Sequence, residues 1–162
     1  MTAARALDAV RARGWTLAVA ESLTGGLLSA RVVDVPGASL VHRGAVVAYA
    51  TDLKAALLDV PADLLDAVGP VHPDVALHMA QGVRRHLTAD VGVATTGVAG
   101  PDPQDGHPPG TVHVAVVTPD ARQVLSLQLV GDRAAVREQC VVAALALLTD
   151  VVEDRATGRP RH

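Results

Sequence analysis

A short and nearly continuous apolar run, WTLAVA at residues 15–20, is the feature that most constrains the fold of this chain. A strand with one face in water alternates apolar and polar residues, whereas a strand covered on both faces stays apolar along its length. The run therefore predicts a strand that lies between two layers. Elements that can cover both faces of such a sheet are helices, so an α/β fold follows.

Turn and helix-breaking residues divide the remaining chain into further elements. The predicted helices cover residues 3–13, 27–35, 52–60, 61–69, 72–89 and 131–154. The predicted strands cover residues 15–20, 44–50, 91–97, 111–118 and 123–130, and the last two form an antiparallel hairpin. This order predicts a three-layer α/β/α fold with a mixed sheet of about five strands. We expect a single domain at residues 1–154 and a disordered tail at residues 155–162.

Composition and charge argue against several classes of protein. The net charge is −3 and the arginines are scattered, so no nucleic-acid partner is expected. The apolar runs are too short to cross a bilayer, and the first residues lack a signal-peptide pattern, so we expect a cytoplasmic protein without a membrane partner. Cys140 is the single cysteine, and His72, His78 and His86 lack the spacing of zinc ligands on a helix. No disulfide, metal or other cofactor is therefore expected.

The chain has one lysine, Lys54, and one tyrosine, Tyr49, five positions apart. Phe, Ile and Asn are absent, and all of the 14 lysine and arginine residues except Lys54 are arginine. Both features are typical of GC-rich codon usage. Arginine replaces lysine as a surface charge but not as a proton acceptor, because its pKa stays above about 12. A lysine that survives this bias is a candidate for chemistry, with chance retention as the alternative.

Ser22 lies in the segment AESLTGG, between the first strand and the next helix. It is either a cap for the helix N–H groups or a nucleophile beside them. In the second case the N–H groups of Thr24, Gly25 and Gly26 would stabilise an oxyanion or bind a phosphate. Glu21 is either a solvated charge at the strand end or a hydrogen-bond acceptor for substrate or for the lysine.

A nucleophilic serine needs a base, and the sequence offers few. No G-x-S-x-G pattern surrounds Ser22, and no histidine pairs with it by spacing, so Lys54 is the base available. Tyr49 would relay a proton or orient the lysine; the alternative is a strand-end aromatic half covered by the core.

Two more regions hold candidate binding residues. Thr96 and Gly97 end the third strand and could line a pocket, and the long Gly/Pro-rich loop at residues 98–110 is either a surface loop or a functional one. Arg133 and Arg137 lie one turn apart in the last helix, without an acidic residue three or four positions away. Like charges at this spacing repel, so the pair indicates either a bound phosphate or an internal ion pair.

Taken in order, six segments of the chain resemble the CinA C-terminal domain family, the nicotinamide mononucleotide deamidases. The segments are AESLTGG, PGAS, GAVVAYATDLKAALLDV, MAQGVRRHLTADVGVATTGVAGP, PPGTVHVA and GDRAAVREQ. They cover nearly the whole chain, and their order is more specific than any one of them. The chain departs from the common family pattern at Leu23, at Thr51 and at residues 71–73, 99–103 and 107–112.

The resemblance implies an amidohydrolase of pyridine nucleotide salvage, which converts nicotinamide mononucleotide to nicotinate mononucleotide and ammonia. It implies a serine nucleophile at Ser22, assisted by Lys54 and Tyr49, with no metal, and a homo-oligomer. The alternative is a non-catalytic nucleotide-binding module that keeps the fold without turnover. The residues expected to bind substrate are Glu21, Thr24, Gly25, Gly26, Thr96, Gly97, Arg133 and Arg137.

Overall fold

The first strand, β1 (Leu17–Glu21), is buried along its whole length, as its apolar run predicts. The other strands are β2 (His42–Val47), β3 (Val91–Gly97), β4 (Thr111–Val117) and β5 (Arg122–Gln128). The helices are α1 (Ala3–Ala12), α2 (Leu27–Val33), α3 (Thr51–Leu58), α4 (Ala62–Val68), α5 (Pro73–His86) and α6 (Arg133–Thr157). These elements come from a computed structural model, which describes residues 2–157.

The five strands form one mixed sheet in the order β2-β1-β3-β4-β5. Strand β1 pairs in parallel with both β2 and β3, while β4 and β5 add an antiparallel hairpin at the far side. The predicted α/β class and the mixed five-stranded sheet are confirmed. Because the chain leaves β1 toward β2 on one side and returns as β3 on the other, a crevice opens at the carboxyl ends of these strands.

Alternate residues of the central strands enter two separate cores. Val19, Val93 and Val114 pack against α1, α2 and α6. Their neighbours Ala18, Ala94 and Ala115 pack against α3, α4 and α5 on the other face. The two cores explain why the strands carry no polar alternation, since neither face meets water.

Helix α5 lies unusually close to its neighbours because glycines replace side chains at two contacts. A Cβ at Gly82 would overlap the carbonyl oxygen of Leu58, at the end of α3, and a Cβ at Gly92 would overlap that of Ala80. The first contact fixes the end of α3 against α5. Because α3 carries Lys54, this packing also positions that side chain.

Several predicted boundaries are wrong. Trp15 and Thr16 stay outside β1. The Trp15 ring centroid lies 4.0 Å from the Arg13 guanidinium, and the N–H and hydroxyl of Thr16 donate to the Asp90 carboxylate, while its carbonyl accepts from Val91 at the start of β3. Strand β2 ends at Val47, so Tyr49 lies in the following loop. Helix α6 continues to Thr157, past its predicted end at 154. The rest of the predicted tail, residues 158–162, lies outside the described residues.

A helix that crosses a bilayer must be both long and apolar. Within residues 2–157, no helix is both long enough and apolar enough to cross a membrane.

Candidate active site

The carboxyl ends of β2, β1 and β3 surround a cavity of about 330 Å³. Its wall comes from the loops that follow these three strands, from the α4–α5 connection and from the start of α6. Ser22, Lys54, Tyr49, Thr96 and Arg133 all line it. Residues from distant parts of the sequence thus meet at the sheet edge where α/β folds place their ligand sites.

Ser22 and Lys54 are joined by a hydrogen bond at the inner end of this cavity. The Nζ atom of Lys54 lies 2.9 Å from Ser22 Oγ. Lys54 reaches this position from the first turns of α3, and Ser22 directly follows β1. Ser22 itself is held by its N–H, which donates to the Thr95 carbonyl on β3 at 3.1 Å.

Lys54 is 1% exposed, and no carboxylate within the described residues lies close enough to form an ion pair with it. Burial penalises the charged ammonium, so the pKa of Lys54 falls from 10.5 to about 8. At pH 7 about a tenth of the molecules then carry a neutral amine at this position. A neutral lysine amine can accept a proton, which the ammonium cannot do.

Two backbone carbonyls orient the Lys54 amine. Nζ donates to the carbonyl oxygens of Ala48 at 2.9 Å and of Tyr49 at 3.4 Å. Carbonyl oxygens only accept hydrogen bonds, so they take two N–H groups of Nζ. In the neutral amine the lone pair is then left to face Ser22 Oγ, which is the geometry of a general base beside its nucleophile.

Ser22 is not a helix cap, and Glu21 has that role. Both carboxylate oxygens of Glu21 accept backbone N–H groups of α2, from Leu28 at 2.8 Å and from Ser29 at 3.1 Å. Glu21 is completely buried and does not line the cavity. The prediction that it binds substrate or Lys54 is wrong, because the N-terminus of α2 uses its whole carboxylate.

The residues after Ser22 shape the loop and do not bind a ligand as predicted. Thr24 is buried, and its hydroxyl lies 2.8 Å from that of Thr95. The N–H of Gly25 donates to the Ser22 carbonyl at 3.0 Å, and Gly26 directly precedes α2 with a φ of 103°. None of the three lines the cavity, so the prediction that they bind substrate is not supported by their positions.

The N–H group of Leu23, the residue directly after Ser22, differs from those of the three residues that follow it. Leu23 lines the cavity, and its N–H donates to no acceptor within the described part of the chain. An unpaired backbone donor beside a nucleophile is the usual component of an oxyanion hole. In the sequence, the only signal for the Leu23 N–H was that Leu23 directly follows Ser22.

Tyr49 and Arg133 meet at the opening of the cavity. The Tyr49 hydroxyl accepts a hydrogen bond from Arg133 at 3.0 Å, and its side chain is 59% exposed. Tyr49 therefore contacts Lys54 through its carbonyl, while no described hydrogen bond joins its hydroxyl to Ser22 or Lys54. Its proposed help in orienting the lysine is compatible with this contact, whereas a direct proton relay through the hydroxyl is not.

The two arginines of α6 have different environments. Arg133 lines the cavity and donates to the Gly100 carbonyl at 2.6 Å. Arg137 donates to the carbonyls of Leu23 and Thr24, both at 3.0 Å, and does not line the cavity. Arg133 remains a candidate phosphate ligand, whereas the position of Arg137 does not support the same prediction, because Arg137 lies outside the cavity lining and holds the Ser22 loop. Neither arginine forms the predicted alternative, an ion pair, within the described residues.

Thr96 and Gly97 line the cavity as predicted. The Thr96 hydroxyl donates to the Pro70 carbonyl at 2.7 Å, which ties the α4–α5 connection to β3. The sequence did not predict Pro70, Val71 or Asp102 as members of that wall. Tertiary packing alone brings Pro70 and Val71 to the site, whereas the Gly/Pro-rich loop after β3 gave a signal for Asp102.

The described residues show no group of three or more His, Cys, Asp or Glu side chains suited to a metal ion. The fold and the site together define an α/β/α domain with a buried serine–lysine pair at the carboxyl edge of its sheet. Similar proteins of known family identify the family to which this domain belongs.

Residues 1–152 match the CinA C-terminal domain family. A CinA-like protein of Frankia casuarinae is 52% identical over 148 residues, which are 91% of this chain and 33% of that protein. A competence-damage inducible protein of Geobacillus kaustophilus is 46% identical over 82% of this chain and 32% of its own length. The chain thus spans about a third of the length of these relatives.

Solved structures give the same result. A CinA superfamily protein of Klebsiella pneumoniae superposes with a TM-score of 0.90 at 32% identity, covering 93% of this chain and 95% of that one. A competence/damage inducible protein of Agrobacterium tumefaciens gives 0.88 at 30% identity, covering 93% of each. The chain belongs to the CinA C-terminal domain family, as its ordered segments predict.

The role of Glu21 as a cap can be tested by Glu21→Gln. The amide keeps one acceptor but turns an NH₂ group toward a backbone N–H, so we expect a loss of about 1–3 kcal/mol in the free energy of unfolding. Urea denaturation measures this loss. Glu138→Gln is the control, because Glu138 forms only an exposed pair with Arg31 and should cost less than about 1 kcal/mol. Unchanged stability in Glu21→Gln would contradict the capping role.

Proposed function

We propose that this protein is an amidohydrolase that removes ammonia from the carboxamide of nicotinamide mononucleotide, with Ser22 as nucleophile and Lys54 as base. The observation that carries the proposal is the 2.9 Å contact between Lys54 Nζ and Ser22 Oγ, made by a buried lysine that has no carboxylate partner among the described residues. A lysine used for charge or solubility does not need burial, whereas a lysine base does.

In the first half of the reaction, the Ser22 hydroxyl gives its proton to neutral Lys54 as its oxygen bonds to the carboxamide carbon. The Leu23 N–H stabilises the negative oxygen of the tetrahedral intermediate. Lys54 then returns the proton to the amide nitrogen, the carbon–nitrogen bond breaks and ammonia leaves. A nicotinyl ester on Ser22 remains.

In the second half, Lys54 takes a proton from a water molecule, whose oxygen bonds to the ester carbon. The bond between that carbon and Ser22 Oγ breaks, and Lys54 returns the proton to Ser22. The product leaves as a carboxylic acid, which gives its proton to solvent and becomes nicotinate mononucleotide, and the base is regenerated neutral. This sequence needs no metal or redox group, because one amine moves each proton.

The remaining cavity residues fit a mononucleotide. The exposed edge of the pocket carries Arg133, a cation suited to the phosphate. The Tyr49 ring borders the same opening and offers an aromatic surface to the pyridine ring. The reaction would place the protein in pyridine nucleotide salvage, and the homo-oligomer implied by the resemblance stays a prediction.

A non-catalytic nucleotide-binding module is the second candidate. The names of the relatives favour it, because they describe competence and damage induction and no reaction. The two candidates differ in turnover and not in binding. The buried Lys54 favours the enzyme, since an arginine would serve simple binding equally well.

Ammonia release from nicotinamide mononucleotide tests the proposal directly. We expect release by the unaltered protein and a loss of more than about a hundredfold in both Ser22→Ala and Lys54→Arg. Ser29→Ala is the matched control, because Ser29 lies outside the cavity and bonds to His42. Binding of the nucleotide without release by the unaltered protein would favour the module. Full activity in Ser22→Ala would refute the nucleophile.

The pH dependence of kcat/KM gives a second prediction. Lys54 acts as a base only when neutral, so the rate should rise almost tenfold per pH unit below its pKa of about 8 and level off above it. The profile should be interpreted from about pH 7 upward, because the second pKa of the substrate phosphate is about 6 and its ionisation also changes the rate at lower pH. A flat profile across pH 8, or a rate that falls as the pH rises, would contradict this role for Lys54.

A further inference from the structure

The cavity is lined by three charged side chains: Lys54, Arg133 and Asp102. Lys54 and Arg133 already have roles in the proposed reaction, as base and as phosphate ligand. Asp102 is the one carboxylate of the lining, and the proposed chemistry leaves it without a role. A carboxylate that faces a ligand cavity changes which ligands can enter.

Asp102 has no internal partner among residues 2–157. No hydrogen bond or ion pair of its side chain occurs there, and it is exposed to solvent. Arg133, which lines the same cavity, donates to Gly100 and Tyr49 instead. No ion pair within the described residues therefore neutralises the charge of Asp102.

The backbone around Asp102 is stiff. It lies between Pro101 and Pro103, whose rings fix φ and restrict the residue before them. Arg133 holds the carbonyl of Gly100 on one side, and paired backbone hydrogen bonds of 3.0 and 2.9 Å join Gln104 and His107 on the other. A carboxylate on such a segment loses little entropy when a ligand binds.

We infer that Asp102 recognises the positive charge of the pyridinium ring, and so makes the site selective for oxidised, cationic nicotinamide nucleotides. This inference rests on the proposed function. The substrate is a zwitterion, with a cationic ring and an anionic phosphate, and the cavity wall offers Asp102 to the ring and Arg133 to the phosphate. The ring nitrogen is quaternary and carries no hydrogen, so it is recognised by charge and not by a hydrogen bond.

The reduced nucleotide provides a probe of charge alone. Its dihydropyridine ring is neutral, while its ribose, phosphate and carboxamide are the same. If Asp102 bound the ribose hydroxyls instead, both nucleotides would depend on it equally. A comparison of the two therefore separates charge recognition from hydrogen bonding and from a purely structural effect.

The experiment measures dissociation constants by calorimetry in a Ser22→Ala background, which prevents turnover. We expect Asp102→Asn to weaken binding of nicotinamide mononucleotide by about fivefold to thirtyfold and to change binding of its reduced form by less than about twofold. Asp105→Asn is the matched control. It removes the same charge from the same loop, does not line the cavity, and suits asparagine because its φ is 50°.

The outcomes separate this inference from the proposed function. Equal weakening of both nucleotides by Asp102→Asn, or equal effects of Asp102→Asn and Asp105→Asn, would overturn the inference and leave the proposed function standing. Unchanged binding of the oxidised nucleotide would do the same. If the Ser22→Ala parent binds neither nucleotide, the inference and the proposed function fail together.

Discussion

The burial of one lysine amine at the edge of the sheet is the constraint on which the rest of the site depends. Lys54 loses most of its hydration and gains no carboxylate partner among residues 2–157, so burial lowers the pKa of its amine to about 8. Lys54 lies on α3, and the close contact of Gly82 with the end of that helix fixes its position. The proposed chemistry follows from this placement, because Ser22 and two backbone carbonyls are the only hydrogen-bond partners of the amine in the described part of the chain.

The residues around Ser22 divide into those that hold the loop and those that face the cavity. Glu21 caps the N-terminus of α2, and Arg137 donates hydrogen bonds to the carbonyls of Leu23 and Thr24. These contacts satisfy the loop without using the Ser22 hydroxyl or the Leu23 N–H. The serine is thereby left to Lys54, which explains how one tight turn can serve both as helix entry and as a candidate nucleophile site.

The sequence predicted the fold well because apolar patterning is a local signal. The apolar run at β1 required helices on both faces of the sheet, and the unusual survival of Lys54 pointed to the base. The sequence could not place Glu21, Thr24 or Arg137, because the role of each depends on what its side chain contacts across the fold. A charged residue near a nucleophile gives the same sequence signal whether it binds a ligand or a backbone group. The boundary before β1 was wrong for a related reason, since Thr16 bonds to Asp90, which is distant in sequence.

The protonation of Lys54 is the central claim, and it can be measured without assignment because the chain has one lysine. Lysine labelled with ¹³C and ¹⁵N gives a single side-chain amine signal, whose chemical shift follows the charge as the pH changes. The account predicts a midpoint at about 8, which should stay well below 10.5 in Ser22→Ala because burial is the cause of the shift. A midpoint near 10.5 in the unaltered protein would mean that Lys54 is an ordinary ammonium at neutral pH and would contradict its role as the base.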